Sequence, residues 1–309
     1  MSREGDPESA RGGKAVPGDH SEWRIALARE LAPYYAGHEG IKMVVLGGSP
    51  SRGLADRYSD LDVIVYWDSL DRLWIEDGPL EGLMCERRAF MQSPQTDICL
   101  ESWFFGTLKV DFGHVTMAAW EEMTGEVTEK LSTDGGLQKS IQGFLDSIVL
   151  YGHDMAEEWK RKLSVYPEGL ARKMVEANLR LYVKGCLMNQ GWKRGERLFF
   201  FDGLCTMFRR ILGILAGVNR VYYTFDEPRW VEQELHRMPL APADLWSRMK
   251  RALEAGGEEA DMILEQLIGE TVELVREHVP EADISRLERR ESLRVDGCDR
   301  MPGVHPVSR

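Results

Sequence analysis

Two aspartates and a glycine-serine corner lie close together in the N-terminal third of the chain. Ten residues separate Gly48-Ser49 from Asp60, and Asp62 lies two residues further on, inside an apolar run. Residues two apart in a strand project from the same face, so the two carboxylates face the same side. Such carboxylates repel each other unless a cation lies between them, and hard oxygen ligands suit Mg²⁺. The spacing predicts a metal site at a strand entrance.

The glycine-serine corner has the composition of a phosphate-binding turn. It follows the apolar run 42–46, which is rich in β-branched residues and predicts a strand, as the run 61–66 does. Between the runs, hydroxyl residues, Pro50 and Gly53 predict one or two helical turns that begin at the corner. The unpaired N–H groups of a helix N-terminus favour phosphate.

A third carboxylate, Asp111, stands inside a later strand-like run, 107–115. An aspartate there is unfavourable by strand propensity and by burial, so a compensating partner is expected. We interpret Asp111 as the third metal ligand. A water-facing aspartate on an edge strand is the alternative.

The motif Gly48-Ser49-x10-Asp60-x-Asp62 resembles the signature of the DNA-polymerase-β-like nucleotidyltransferase superfamily. Within it, the chain looks like the small-molecule and minimal nucleotidyltransferases, which include aminoglycoside and lincosamide nucleotidyltransferases and antitoxin-type AMP-transferring enzymes. The likeness covers residues 42–66 and extends to Asp111.

This resemblance implies transfer of a nucleoside monophosphate from a nucleoside triphosphate to an acceptor hydroxyl, with release of pyrophosphate. Two Mg²⁺ ions, roughly 3.5–4 Å apart, would share Asp60 and Asp62, with Asp111 assisting at the acceptor. The phosphates would contact Gly48 and Ser49. The remaining nucleotide-binding candidates are Arg52, for which an exposed helix arginine is the alternative, Ser59 and Lys184. ATP is the expected donor at family level.

The charge distribution counts against a nucleic acid acceptor but leaves one segment suited to a triphosphate. The formal net charge is −12, which counts against a nucleic acid acceptor because nucleic-acid binders carry basic faces. Between Ala171 and Arg220, however, ten Lys or Arg residues stand against three acidic ones, a local balance of +7. This segment could face a triphosphate, and Lys184, expected in mid-helix, is the first candidate. A solvated helix face is the alternative.

The expected architecture is α+β, with a small mixed-sheet nucleotidyltransferase domain followed by an α-helical bundle. We expect a disordered tail at 1–19, the α/β domain at 20–150, the helical domain at 151–280 and a charged tail at 281–309. Helices are predicted over 21–35, 136–150, 167–190, 196–216 and 258–279. Without a long apolar run or secretory signal, and with scattered cysteines, we expect a cytoplasmic protein with reduced thiols and no membrane contact.

Two further polar residues belong to the predicted sheet. Glu101 could accept the acceptor's proton or hold a cationic substrate, although a solvent-facing position beside Asp97 is the favoured interpretation. His114 is interpreted as a strand histidine with its hydrogen bonds satisfied.

Three functions stay open. The first is nucleotidyl transfer to a small molecule such as an aminoglycoside-like compound. The second is AMP transfer to a protein, and the third is a module that binds a nucleotide or partner without catalysis. The crowded carboxylates argue against the third.

Overall fold

A computed structural model describes residues 20–83, 85–92, 97–296 and 298. These residues group into two compact units. The first contains residues 20–120 and 143–160, and the second contains 121–142 and everything described from 161 onward. The predicted tail at 1–19 lies outside the described residues, as does the end of the chain from 299.

The first unit is built on a six-stranded mixed sheet. Its strands are β1 (Ile41–Leu46), β2 (Leu61–Trp67), β3 (Glu86–Gln92), β4 (Ile98–Phe105), β5 (Leu108–Thr116) and β6 (Ile148–Tyr151). They lie in the sheet in the order β3-β4-β5-β2-β1-β6. The helices preceding β5 are α1 (His20–Ala36), α2 (Gly48–Ser51) and α3 (Arg72–Asp77).

The central strand pair places two of the predicted carboxylates side by side. β2 and β5 run parallel, and their register pairs Asp62 with Asp111. β1 runs antiparallel to β2 and leads into Gly47, whose N–H donates to the Asp62 carbonyl over 2.8 Å. The predicted strands and the single helical turn at the glycine-serine corner are confirmed.

The core of the first unit covers the sheet with apolar side chains from α1 and the strands. Alternate residues of β2 are buried at its start, as a strand with one covered face requires. The largest fully buried side chains include Trp67, Trp103, Tyr35 and Phe112. This core gives β2 and β5 a fixed backbone from which the carboxylates project.

The second unit is helical, which confirms the α+β class. Two long helices, α8 (Arg197–Asn219) and α11 (Gly257–His278), dominate it, and their buried residues form one apolar cluster with those of α7 (Leu170–Asn178). Three helices cross between the units in sequence: α4 (Met117–Thr128), α5 (Gly135–Leu145) and α6 (His153–Leu163). The others are α9 (Val231–Glu234), α10 (Leu245–Ala255) and α12 (Ser285–Glu291).

Two of the predicted helices are wrong in extent. The helix predicted over 136–150 ends at Leu145, because the β-branched residues of 148–151 pair with β1 as strand β6. The helix predicted over 167–190 ends at Asn178, whose side chain bonds back to the Met174 carbonyl, and Gly185 has a positive φ of 74°. A π-helical turn follows at Leu187–Gly191.

The predicted tail at 281–309 is also wrong in part, since α12 forms there. Arg290 of α12 is buried, donates to the Tyr182 carbonyl over 2.6 Å and pairs with Glu265. A basic side chain in a charged segment therefore anchors the helix. None of the helices described combines the length and the apolar composition needed to cross a membrane.

Candidate active site

Asp60, Asp62 and Asp111 converge at the entrance of β2. One carboxylate oxygen from each lies within 4.8 Å of the other two, and all three side chains are partly buried. The parallel register of β2 and β5 creates this convergence, because it sets Asp62 beside Asp111, while Asp60 ends the loop that leads into β2. The structure thus brings together the three predicted ligands.

Gly48 lets the chain pass against Asp62. Its φ is +69°, a left-handed conformation that side chains rarely adopt. A Cβ at this position would lie 2.4 Å from Oδ2 of Asp62. Only glycine therefore lets the first turn of α2 lie this close to the carboxylate of Asp62.

Asp111 is held by two side chains that the sequence analysis did not identify. Ser102, its neighbour across the β4–β5 register, donates from Oγ to Oδ1 over 2.6 Å. Lys109 donates from Nζ to Oδ2 over 2.5 Å. This hydrogen bond, followed by the attraction of Asp111, Asp60 and Asp62, raises the pKa of Lys109 against the opposing effect of burial. The signal was present, since Lys109 shares the strand face of Asp111 by period-two alternation.

Arg24 secures the loop that carries Asp60. Its guanidinium is buried and donates from Nε and Nη2 to the Ser59 carbonyl over 3.0 and 2.6 Å. Nearby, Ser21 Oγ accepts from the Ala55 N–H over 3.1 Å. Burial lowers the pKa of Arg24, against the attraction of Asp56 and Asp60. An arginine on the mainly apolar buried face of α1 is the feature that could have revealed this role.

The donor set fits a divalent metal such as Mg²⁺. Three carboxylates supply hard oxygen donors, and Gly48 leaves Asp62 room that any other residue would take. The local formal charge without a metal is −2, from three aspartates and Lys109. A divalent cation would balance that charge.

The other nucleotide-binding candidates of the first unit lie around the same corner. Ser49 is in the single turn of α2, and its carbonyl accepts from the N–H groups of Arg52 and Leu54. Ser59 uses its hydroxyl within the loop, where it accepts from the Asp56 N–H over 2.9 Å. Phosphate contacts of Ser49, Arg52 and Ser59 stay predictions.

Lys184 does not lie in a helix as predicted. It forms an isolated parallel bridge with Arg294, and its carbonyl accepts from the Val295 N–H over 2.9 Å. It belongs to the second compact unit, so its contact with a triphosphate stays a prediction.

The solvent-facing interpretation of Glu101 is wrong. Glu101 is fully buried on the face of β4 opposite Ser102, where Oε1 accepts from the Tyr35 hydroxyl over 2.5 Å. His114 lies 3.2 Å from the same oxygen, and its Nδ1 accepts from Trp67 Nε1 over 3.0 Å. That bond assigns the ring proton to Nε2, so His114 donates to Glu101. The prediction of a satisfied strand histidine is confirmed.

A family match covers the segment that supplies two of the three acidic residues. Residues 29–84 match the family model described as a nucleotidyltransferase domain. The segment 29–84 is thus similar to a nucleotidyltransferase domain, and this match covers less than half of the chain. The match includes the glycine-serine corner, Asp60 and Asp62, and the geometry adds Asp111 as the third acid. The matched segment and the three acidic residues together support nucleotidyl transfer as the general activity.

Similarity of the chain to solved structures is weak. A nucleotidyltransferase-like protein from Exiguobacterium sibiricum 255-15 is 13% identical over 84% of this chain and 81% of its own, with a TM-score of 0.36. A cytoplasmic RNA terminal U-transferase is 19% identical over 42% of this chain and 41% of its own, with a TM-score of 0.28. The Cid1 poly(U) polymerase is 17% identical over 42% of this chain and 43% of its own, also with a TM-score of 0.28. This chain thus spans about two fifths of each RNA enzyme. No curated protein matches the chain significantly.

Proposed function

We propose that the nucleotidyltransferase domain transfers a nucleoside monophosphate, AMP from ATP, to a hydroxyl of a small molecule and releases pyrophosphate. The observation that carries this proposal is the convergence of Asp60, Asp62 and Asp111 within 4.8 Å, directly against the backbone of Gly48. Bound Mg²⁺ ions would stabilise the triphosphate charge and lower the pKa of the acceptor hydroxyl.

Each protein group has a defined task in this reaction. Asp60 and Asp62 would ligate the metal ions, and Asp111 would complete the ligand set next to the acceptor. The backbone of Gly48 and Ser49, with the side chains of Arg52 and Ser59, would bind the phosphates and orient the α-phosphorus for in-line attack. Arg24 acts indirectly, because its bonds to the Ser59 carbonyl fix the residue that precedes Asp60.

Charge supports a small acceptor rather than a polynucleotide. The net charge of −12 opposes the binding of a polyanion, because acidic residues outnumber basic ones outside the basic segment 171–220. Lys184 of that segment stays the predicted contact of the triphosphate. Exposed acidic residues of the second unit, such as Asp226 and Glu232, suit a cationic acceptor of the aminoglycoside type.

The test is transfer of label from α-labelled ATP in the presence of Mg²⁺ to a panel of hydroxylated antibiotics, metabolites, cell proteins and RNA oligonucleotides. Products are identified by the mass of the added nucleotide. A labelled small molecule supports the proposal, whereas labelling of protein or RNA alone refutes the proposed acceptor. Parallel reactions with GTP, CTP and UTP test the choice of ATP.

Asp62→Asn is the decisive variant, because it keeps the shape of the side chain and removes the ligand charge. Asp68→Asn is the matched control, since Asp68 follows the same strand but is exposed and pairs with Lys42. We expect Asp62→Asn to lose at least a hundredfold in transfer rate and Asp68→Asn to retain it. Equal rates in the two variants, both folded by circular dichroism, would refute the assignment.

A further inference from the structure

Lys109 and a metal ion need the same atom. Oδ2 of Asp111 accepts the Lys109 ammonium at 2.5 Å, while Oδ1 is taken by the Ser102 hydroxyl. Both oxygens of the third carboxylate are thus already engaged by the protein. A metal that binds Asp111 through Oδ2 must share or displace this contact.

The position of Lys109 also makes it a competitor by charge. Its ammonium is attracted by all three carboxylates of the cluster, not by Asp111 alone. A divalent cation drawn into the same cluster would repel it. The side chain is 42% exposed, against 14% for Asp111, so the ammonium can swing away on its four-carbon stem without disturbing the core.

A triphosphate offers the displaced ammonium a new partner. The proposed phosphate site at Gly48-Ser49 lies against Asp62, and Asp62 lies beside Asp111 in the sheet register. An ammonium leaving Oδ2 therefore finds phosphate oxygens within the reach of a lysine side chain, provided that nucleotide is bound. Without nucleotide, the Lys109 ammonium that leaves Asp111 exchanges an ion pair for contact with water.

We propose that Lys109 is an internal cation that opposes metal binding at Asp111 until a nucleoside triphosphate binds. The Lys109 ammonium then pairs with phosphate oxygens instead of with Asp111. Metal and nucleotide then bind cooperatively. Bound nucleotide gives the displaced ammonium a new partner, and bound metal drives the ammonium off Asp111 towards the phosphates. This inference rests on the proposed function of the same site. It makes Lys109 a competitor of the metal in the nucleotide-free protein and a phosphate ligand in the loaded enzyme.

The magnitude follows from Coulomb's law. In a water-like dielectric, a unit charge about 6 Å from a divalent ion changes the affinity of that ion about tenfold. Lys109→Met should therefore bind Mn²⁺ about tenfold more tightly than the wild type when nucleotide is absent. By linkage, the enhancement of Mn²⁺ affinity by nucleotide should shrink by a similar factor.

The experiment titrates Mn²⁺ and counts the free ion by electron paramagnetic resonance, with and without α,β-methylene-ATP. Lys109→Arg keeps the charge and should behave nearly as the wild type does. Lys42→Met is the matched control, because Lys42 lies on β1 and pairs with exposed Asp68, away from the cluster. Its Mn²⁺ affinity should not change.

Mn²⁺ affinity of Lys109→Met equal to or weaker than that of the wild type would overturn the inference, since the lysine would then only hold Asp111 in place. The same holds if Lys42→Met tightens Mn²⁺ binding as much as Lys109→Met does. Asp62→Asn separates this failure from failure of the proposed function. If Mn²⁺ binding to the wild type does not depend on Asp62, the metal site itself is refuted, and the inference with it.

Discussion

Adding a single methyl group at Gly48 should disable the metal site while leaving the fold in place. Gly48→Ala places a Cβ 2.4 Å from Oδ2 of Asp62, where ordinary contact begins only at 3.4 Å. The difference is about 1 Å, and it must be taken up by Asp62 or by the turn of α2. Either movement separates the phosphate corner from the carboxylate.

Two effects contribute, and they can be separated. The positive φ of Gly48 makes any side chain unfavourable there, by roughly 1–2 kcal/mol of folding free energy. The clash adds a displacement of a metal ligand, and a misplacement of about 1 Å in an active site costs roughly a hundredfold in rate. Stability should therefore fall modestly and activity steeply.

Gly53→Ala is the control for the first effect. Gly53 also has a positive φ, +71°, but its Cβ would meet no atom within 4 Å. Urea unfolding should show a similar loss of stability in both variants. Mn²⁺ affinity and pyrophosphate release should fall only in Gly48→Ala. If both variants retain Mn²⁺ affinity and rate, the close approach of Gly48 to Asp62 is not what the site depends on.

Two further predictions concern one buried and one partly buried charge. Arg24→Met should lower the free energy of unfolding by about 2–3 kcal/mol and weaken Mn²⁺ binding, because the Ser59 carbonyl loses its donors. Arg29→Met, on an exposed position of the same helix, should do neither, and equal effects in urea unfolding would contradict the role of Arg24. Burial raises the pKa of Asp261, so the folded protein binds its proton more tightly than the unfolded chain, and stability falls as pH rises through that range. Asp261→Asn should accordingly be more stable than the wild type at pH 7 but not below about pH 3.9, the usual value for an unfolded aspartate, as thermal unfolding across pH would show.

Local pattern was sufficient to select the three carboxylates, whereas the meeting of Asp111 with Asp60 and Asp62 depends on the register between β2 and β5. Alternation places Asp60 and Asp62 on one face, and a glycine-serine corner between two β-branched runs specifies a tight turn. Asp111 was accessible by the same reasoning, since a carboxylate inside an apolar strand requires a partner. These features depend on neighbours within a few residues.

Pairing between distant segments was decided only by the tertiary structure. Which residue faces Asp111 across the sheet depends on strand register, which brings in Ser102, whereas Lys109 is a local partner two residues away on the same face of β5. Residues 148–151 are a strand because β1 offers an edge, although their periodicity continues a helix. Glu101 is buried because Tyr35, from a helix 66 residues away in sequence, supplies its hydrogen bond. The sequence by itself determined which side chains can do the chemistry, and packing decided which of them meet, because local spacing carries no information about partners far along the chain.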